Sequence, residues 1–207
     1  MLTGLVLSGG NGSRMGRDKG LINLRGDPML SYVVDAMLGT VNEIVISVAK
    51  GEASKYDEYA EIGFEVVEDR DKNIGPIEGI LCGLKASRGE YVLICPCDTP
   101  FLKREVCELL LSKASGKDAA VPFIGDKYEP VHGVFKRDAA IRAFEATLAA
   151  GKRKPSAAYD RLNLVLVDEE SIRVVDPGLD SFWNLNTPED LWLAEKRIDD
   201  SNQLEQE

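Results

Sequence analysis

Short apolar runs separated by amphipathic stretches recur along the chain. They are Gly4-Leu5-Val6-Leu7, Ile44-Val45-Ile46-Ser47-Val48, Phe64-Glu65-Val66-Val67, Tyr91-Val92-Leu93-Ile94-Cys95, Ala119-Ala120-Val121, Val131-His132-Gly133-Val134-Phe135 and Leu164-Val165-Leu166-Val167. Most are continuously apolar rather than alternating, which predicts strands covered on both faces. Between them the period changes. Leu30, Val33, Val34, Met37 and Leu38 follow helical spacing, as do Ile77, Ile80, Leu81 and Leu84. Gly79 and Gly83 on the second stripe permit close approach to a sheet or a ligand. Leu102, Val106, Leu109 and Leu110 give a third stripe, and Ile141, Phe144 and Leu148 a fourth. Three pairs, Asp27-Pro28, Thr99-Pro100 and Thr187-Pro188, have the order of a helix cap followed by a first-turn proline.

This alternation predicts an α/β fold: a single-domain, doubly wound, mostly parallel sheet with helices on both faces. Residues 118–136 carry two strand-like runs with no helix between them, which predicts a local antiparallel excursion. The domain is expected to span residues 1–198, followed by a frayed acidic tail at 199–207. No internal repeat or low-complexity linker interrupts it.

Composition narrows the function classes. The 207 residues are 44% hydrophobic and 29% charged, as in a globular protein, and the net charge is -10. No apolar run approaches membrane-spanning length, and no basic region precedes the first strand, so neither membrane association nor a signal peptide is expected and the cytoplasm is the default. The acidic balance argues against nucleic acid as a ligand. Cys95-Pro96-Cys97 lacks the spacing of a redox or zinc pair, and reduced, strand-buried thiols are expected. The single histidine, His132, excludes multi-histidine metal sites and leaves little room for a Ser-His-Asp triad.

Positive charge is instead local. The run Leu7-Ser8-Gly9-Gly10-Asn11-Gly12-Ser13-Arg14-Met15-Gly16-Arg17-Asp18-Lys19 follows the first strand. Glycines there allow backbone N–H groups to converge on an anion, and Arg14, Arg17 and Lys19 add cations. It is neither a P-loop, since Arg17 follows Gly16, nor a dinucleotide fingerprint, since Met15 holds the third glycine position. Lys152-Arg153-Lys154 forms a second cationic cluster.

Ligands of open parallel sheets bind beyond the carboxyl ends of the strands. Asp98, between Pro96 and Pro100, follows a very hydrophobic strand; Thr99 is expected to cap the next helix, leaving the Asp98 carboxylate for Mg²⁺. Ser47 lies near another strand end. Asp69 sits in Glu68-Asp69-Arg70-Asp71-Lys72, which reads either as a solvated charge run or as part of the site beside Gly75-Pro76-Ile77-Glu78-Gly79. Asn184 and Asn186 would share one face of an extended segment, with helix entry as the competing role.

Together these motifs resemble the molybdenum cofactor guanylyltransferase family, within the nucleotidyltransferases of Rossmann-like fold. The resemblance rests on Leu7-Ser8-Gly9-Gly10, Arg14-Met15-Gly16, Asp18-Lys19-Gly20, Gly75-Pro76-Ile77-Glu78-Gly79, Cys95-Pro96-Cys97-Asp98-Thr99-Pro100, Glu129-Pro130-Val131-His132 and Asn184-Leu185-Asn186-Thr187-Pro188-Glu189. It implies transfer of GMP from GTP to the terminal phosphate of molybdopterin cofactor, with pyrophosphate released. It also implies that Leu7, Ser8, Gly9, Lys19, Asp69 and Asp98 contact GTP, with Lys19 and Asp98 catalytic and Asp98 holding Mg²⁺. Ser47 stands where the family often has asparagine, a shorter reach to the nucleotide. Arg153, Asn184 and Asn186 match the pterin side, and transient contact with cofactor-biosynthesis or acceptor proteins is implied. Two alternatives stay open: a cytidylyl- or sugar-nucleotide transferase of the same fold, and a GTP-binding domain without catalysis.

Overall fold

The computed structural model describes residues 1–9, 18–71 and 74–204, so the expectations for Gly10, Arg14 and Arg17 lie outside the described residues. In chain order the elements are β1 (Leu2–Ser8), β2 (Asn23–Leu24), β3 (Asp27–Pro28), α1 (Met29–Met37), β4 (Glu43–Val48), α2 (Asp57–Glu61), β5 (Glu65–Glu68), α3 (Pro76–Ala86) and β6 (Tyr91–Pro96). Then follow α4 (Arg104–Ala114), β7 (Ala119–Ile124), β8 (Lys127–Tyr128), β9 (Gly133–Lys136), α5 (Arg137–Ala149), β10 (Leu164–Asp168), α6 (Glu169–Val175) and α7 (Pro188–Leu204).

The main sheet runs β10-β7-β9-β6-β1-β4-β5, with β8 added to β7. β1 lies parallel to both β4 and β6, and Leu7 is level with Ser47 on one side and Pro96 on the other. The three strands therefore end at one edge. The chain travels outward from β1 to β4 and β5, then returns across β1 to β6. That reversal of order between β1 and β6 opens a crevice at their carboxyl ends. The antiparallel excursion is present: β9 runs against both β6 and β7, and β7 turns back into β8.

Alternate residues of the central strands serve opposite faces. Leu5, Val45 and Ile94 pack in a core with Ile77, Ile80 and Leu84 of α3 and Phe144 of α5. Val6, Ile46 and Cys95 pack with Val33 of α1, Val106 and Leu110 of α4, and Ile172 of α6. Both faces are thus covered, which is why these strands read as unbroken apolar runs. β10 differs: it is an edge strand, and Leu166 is 42% exposed.

Two of the three expected helix entries are corrected. Asp27 and Pro28 pair with β2 as a short hairpin, and α1 starts at Met29 without a side-chain cap. No helix begins at Thr99; its hydroxyl donates to the Pro96 carbonyl at 3.2 Å, and α4 starts at Arg104 after Lys103. Leu102 is therefore buried from outside the helix. Thr187 does cap α7: its Oγ1 accepts the Asp190 N–H at 3.1 Å while Asp190 Oδ2 accepts the Thr187 N–H at 2.8 Å, a reciprocal capping pair. α7 continues to Leu204, past the expected start of the tail at Asp199, which pairs with Arg25. All four cysteines are buried and unpaired, and no helix among the described residues is long and apolar enough to cross a membrane.

Candidate active site at the strand ends

A pocket opens at the β1–β6 crevice. Leu7 lines it from β1 and Gly9 from just beyond, Ser47 from β4, Pro76 and Gly79 from α3, and Pro96 from the end of β6 with Cys97 and Asp98 after it; Lys19, Val131 and Asn184 close its sides. Main-chain hydrogen bonds hold its rim. The Cys97 N–H donates to the Leu7 carbonyl at 3.0 Å, the Asp69 N–H to Val48 at 2.9 Å, and the Leu185 N–H to Asp98 at 2.8 Å.

Lys19 joins three segments distant in sequence. Its Nζ donates to Asp98 Oδ2 at 2.8 Å and to Asn186 Oδ1 at 2.7 Å. The Lys19 and Asp98 side chains are only 19% and 14% exposed, so the pair is shielded but still faces the pocket. Asn186 is fixed in turn: its Nδ2 donates to the Asn184 carbonyl at 3.2 Å and its N–H to Asp190 Oδ2 at 2.9 Å. The asparagine segment thus enters a helix and reaches the site at once.

On the other wall, Asp69 Oδ1 lies 3.5 Å from Ser47 Oγ. A Cβ on Gly79 would sit 3.1 Å from Ser47 Oγ and 3.3 Å from Asp69 Oδ1. The missing side chain leaves the floor open between these two polar groups. Gly83, one turn later, instead faces Leu5, where a Cβ would approach Cδ1 to 2.2 Å. Burial first, and then the nearby Glu78 carboxylate, push the Asp69 carboxyl up to about 6. Asp69 is therefore half-buried behind Ser47 rather than in a solvated charge run, and does not itself line the pocket.

The remaining expected residues divide. Ser8 is buried and turned to the opposite face of β1, where its Oγ meets Tyr56 Oη at 2.6 Å. Arg153 is exposed, with its carbonyl oxygen 3.9 Å from where a Cβ on Gly75 would lie, at the entry to α3. Cys97 lines the pocket, but burial pushes its thiol up to about 12, which removes it as a nucleophile. His132 is buried beside Phe182, with the Ser181 backbone nearby, and neither ring nitrogen meets a partner at hydrogen-bonding geometry among the described residues. Burial brings its imidazole down to about 3, so it is neutral and structural. Tyr56 was not legible as a site-related residue, because an isolated tyrosine in Ser54-Lys55-Tyr56-Asp57 carries no period or motif.

The MobA-like NTP transferase domain family model matches residues 4–163. The chain belongs to that family. Among members similar to it, a probable molybdenum cofactor guanylyltransferase of Methanosarcina acetivorans is 32% identical, over 90% of this chain and 87% of the relative. A molybdenum cofactor guanylyltransferase of Shewanella piezotolerans is also 32% identical, over 97% and 95%. The crystal structure of molybdopterin-guanine dinucleotide biosynthesis protein A from Archaeoglobus fulgidus superposes with a TM-score of 0.80 at 30% identity, covering 96% of this chain and 99% of that one. For a MobA-like chain, the crevice between β1 and β6 is the ligand edge that the doubly wound topology itself provides.

Proposed function

We propose that this chain transfers GMP from GTP to the terminal phosphate of molybdopterin cofactor, giving the guanine dinucleotide form and pyrophosphate. The observation that carries the reading is the convergence of Lys19, Asp98 and Asn186 at the crevice where the strand order reverses. The names of the similar proteins supply the nucleotide and the acceptor.

In this reaction an oxygen of the pterin phosphate bonds to the α-phosphorus of GTP as the bond from that phosphorus to the β-phosphate oxygen breaks. No protein nucleophile is required, consistent with the protonated Cys97. Catalysis rests on positioning and charge stabilisation. Lys19 would hold the leaving phosphates. Asp69, with Ser47 beside it, would accept from donors of the guanosine half across the open floor at Gly79. Asn184 and Asn186 would face the pterin half, and Arg153 would serve it from the α3 entry.

The residues fit Mg²⁺. No three His, Cys, Asp or Glu side chains cluster among the described residues, so a fully protein-made cage is not offered. One hard carboxylate, Asp98, lines the pocket, and Mg²⁺ commonly takes one or two carboxylates and completes its shell with phosphate oxygens and water. When bound, the ion would neutralise charge developing on the phosphates. The four unpaired cysteines fit a reducing compartment, and we place the enzyme in the cytoplasm.

Pyrophosphate release, measured with GTP or CTP and molybdopterin cofactor, tests the reading. GTP is expected to be used and CTP not, and Asp98→Ala to lower the rate by roughly 10²–10³. Preference for CTP would move the chain to the cytidylyl branch. Tight GTP binding without release would make it a binding domain.

A further inference from the structure

The two ends of the glycine-rich segment are held by one side chain outside it. Tyr56 Oη donates to Asp18 Oδ1 at 2.7 Å and lies 2.6 Å from Ser8 Oγ. A phenol has one proton to give. With that proton on the Asp18 carboxylate, the Ser8 hydroxyl must be the donor to Tyr56, so the direction of the chain is set: Ser8 to Tyr56 to Asp18. Asp18 Oδ1 also accepts the Gly20 N–H at 3.2 Å. Gly20 itself packs on Ser8 so tightly that a Cβ would fall 2.2 Å from Ser8 Oγ. The neighbours of Lys19 on both sides are therefore fixed against the end of β1.

Tyr56 is well placed to do this. It is fully buried, at the end of the short turn Ala53–Tyr56 that follows β4. Its ring lies 6.0 Å from Tyr59, which stacks on Phe64 at 6.3 Å, and Tyr59 Oη reaches Ser31 Oγ of α1 at 3.1 Å. Burial pushes the Tyr56 hydroxyl up, which keeps it a donor at working pH. Tyr56 does not line the pocket, although its partner Ser8 neighbours the Cys97 thiol, which does.

We propose that Tyr56 is a positioning residue for Lys19: by clamping Ser8 and Asp18 it fixes the backbone from which the Lys19 ammonium reaches Asp98 and Asn186. The consequence for turnover rests on the transfer reaction proposed above; the geometric part does not. With Lys19 acting on the leaving phosphates, a loosened backbone lowers kcat more than it weakens ground-state binding.

The test compares wild type with Tyr56→Phe, which keeps the ring and removes the hydroxyl. It adds Asp18→Ala, which cuts the clamp from its half-buried end, and Asp18→Asn, which retains an acceptor for both Tyr56 and Gly20. Two readouts are taken well below the melting temperature: pyrophosphate release with GTP, and acylation of Lys19 by acetic anhydride, followed by mass spectrometry with Lys85 as internal reference. Tyr56→Phe and Asp18→Ala are each expected to lower kcat at least tenfold, to leave KM for GTP within threefold, and to speed Lys19 acylation severalfold relative to Lys85. Asp18→Asn is expected to restore most of both. A buried tyrosine with a purely structural role would lower the melting temperature and leave both readouts unchanged, and that result overturns the proposal. Wild-type protein that releases no pyrophosphate would sink the transfer reading alone, since Lys19 acylation still decides the clamp.

Discussion

Asp69→Asn separates a functional from a structural role for the pocket wall. Asp69 titrates at about 6 in the folded chain against 3.8 for an unperturbed aspartate, because its ionised form is poorly solvated and faces Glu78. At 1.36 kcal/mol per tenfold change in proton affinity this corresponds to about 3 kcal/mol, or about 2 after discounting for the water this half-buried carboxylate still meets. The sign follows from proton counting. The folded state holds a proton through roughly pH 4 to 6 that the unfolded state has lost, so stability falls as pH rises through that window and stays lower above it. Asparagine removes the charge and keeps the shape. At pH 7.5 the variant should therefore melt about 4–8 °C higher than wild type, and the gain should vanish below about pH 4, where both wild-type states are protonated. GTP affinity, read by calorimetry, should fall at least tenfold if the carboxylate accepts the nucleotide's donors as proposed. Thermal melts across pH check the first part. A variant no more stable than wild type at pH 7.5, or a gain that persists at pH 3, would refute the electrostatic reasoning; unchanged GTP affinity would refute the assignment of this wall to the nucleotide.

Gly79→Ala should place a methyl group at the pocket floor, against Ser47 and Asp69, and lower GTP affinity tenfold or more while leaving the melting temperature unchanged or slightly higher, since alanine favours a helix interior by about 1 kcal/mol. Calorimetry and a melt together check it, and unimpaired binding contradicts the open-floor argument. His132, next to the pocket-lining Val131, should dominate acid sensitivity. Its imidazole sits at about 3 rather than 6.5, so the unfolded chain takes up a proton that the folded chain refuses. Stability should fall by about 3 kcal/mol as pH drops from about 6.5 to about 4, a slope opposite in sign to that of Asp69. His132→Leu should flatten that limb in urea titrations, and an unchanged slope would show that the histidine takes a partner on protonation.

The doubly wound sheet was readable because its central strands are covered on both faces: Leu5 and Val6, or Ile94 and Cys95, serve opposite cores, and the sequence shows the sum as unbroken apolar runs. The reversed β9 was readable from two strand-like runs with no helix between them. Helix entries were less so. Asp27-Pro28 and Thr99-Pro100 have the residue order of a cap, yet the first closes a hairpin and the second a turn, since proline suits both and only tertiary contacts choose. Among site residues, Lys19, Ser47 and Asp98 were placed at strand ends by topology alone, and the pocket forms there. The facing of Ser8 was not readable, because alternation turns its side chain away from its neighbours. Tyr56 was invisible for a plainer reason: its two partners are 48 and 38 residues away in sequence.

The charge balance of the pocket bears on why a metal would be needed. Among the described residues lining it, Lys19 is the cation and Asp98 the anion, and they neutralise each other at 2.8 Å. On a chain of net charge -10, this pair by itself offers a polyphosphate no net attraction. If Lys19 turned to the phosphates, Asp98 would face them unpaired, and one like-charge contact at about 4 Å is worth about 4 kcal/mol of repulsion near a protein surface. That is about a thousandfold in affinity. Asp98 would hold a divalent cation there, whose charge would offset that repulsion and leave Lys19 available to the leaving phosphates. In the proposed reaction the ion pair would be a resting arrangement, with Lys19 released to the phosphates and Asp98 to the ion, and metal dependence would follow from that pairing rather than from any cluster of carboxylates.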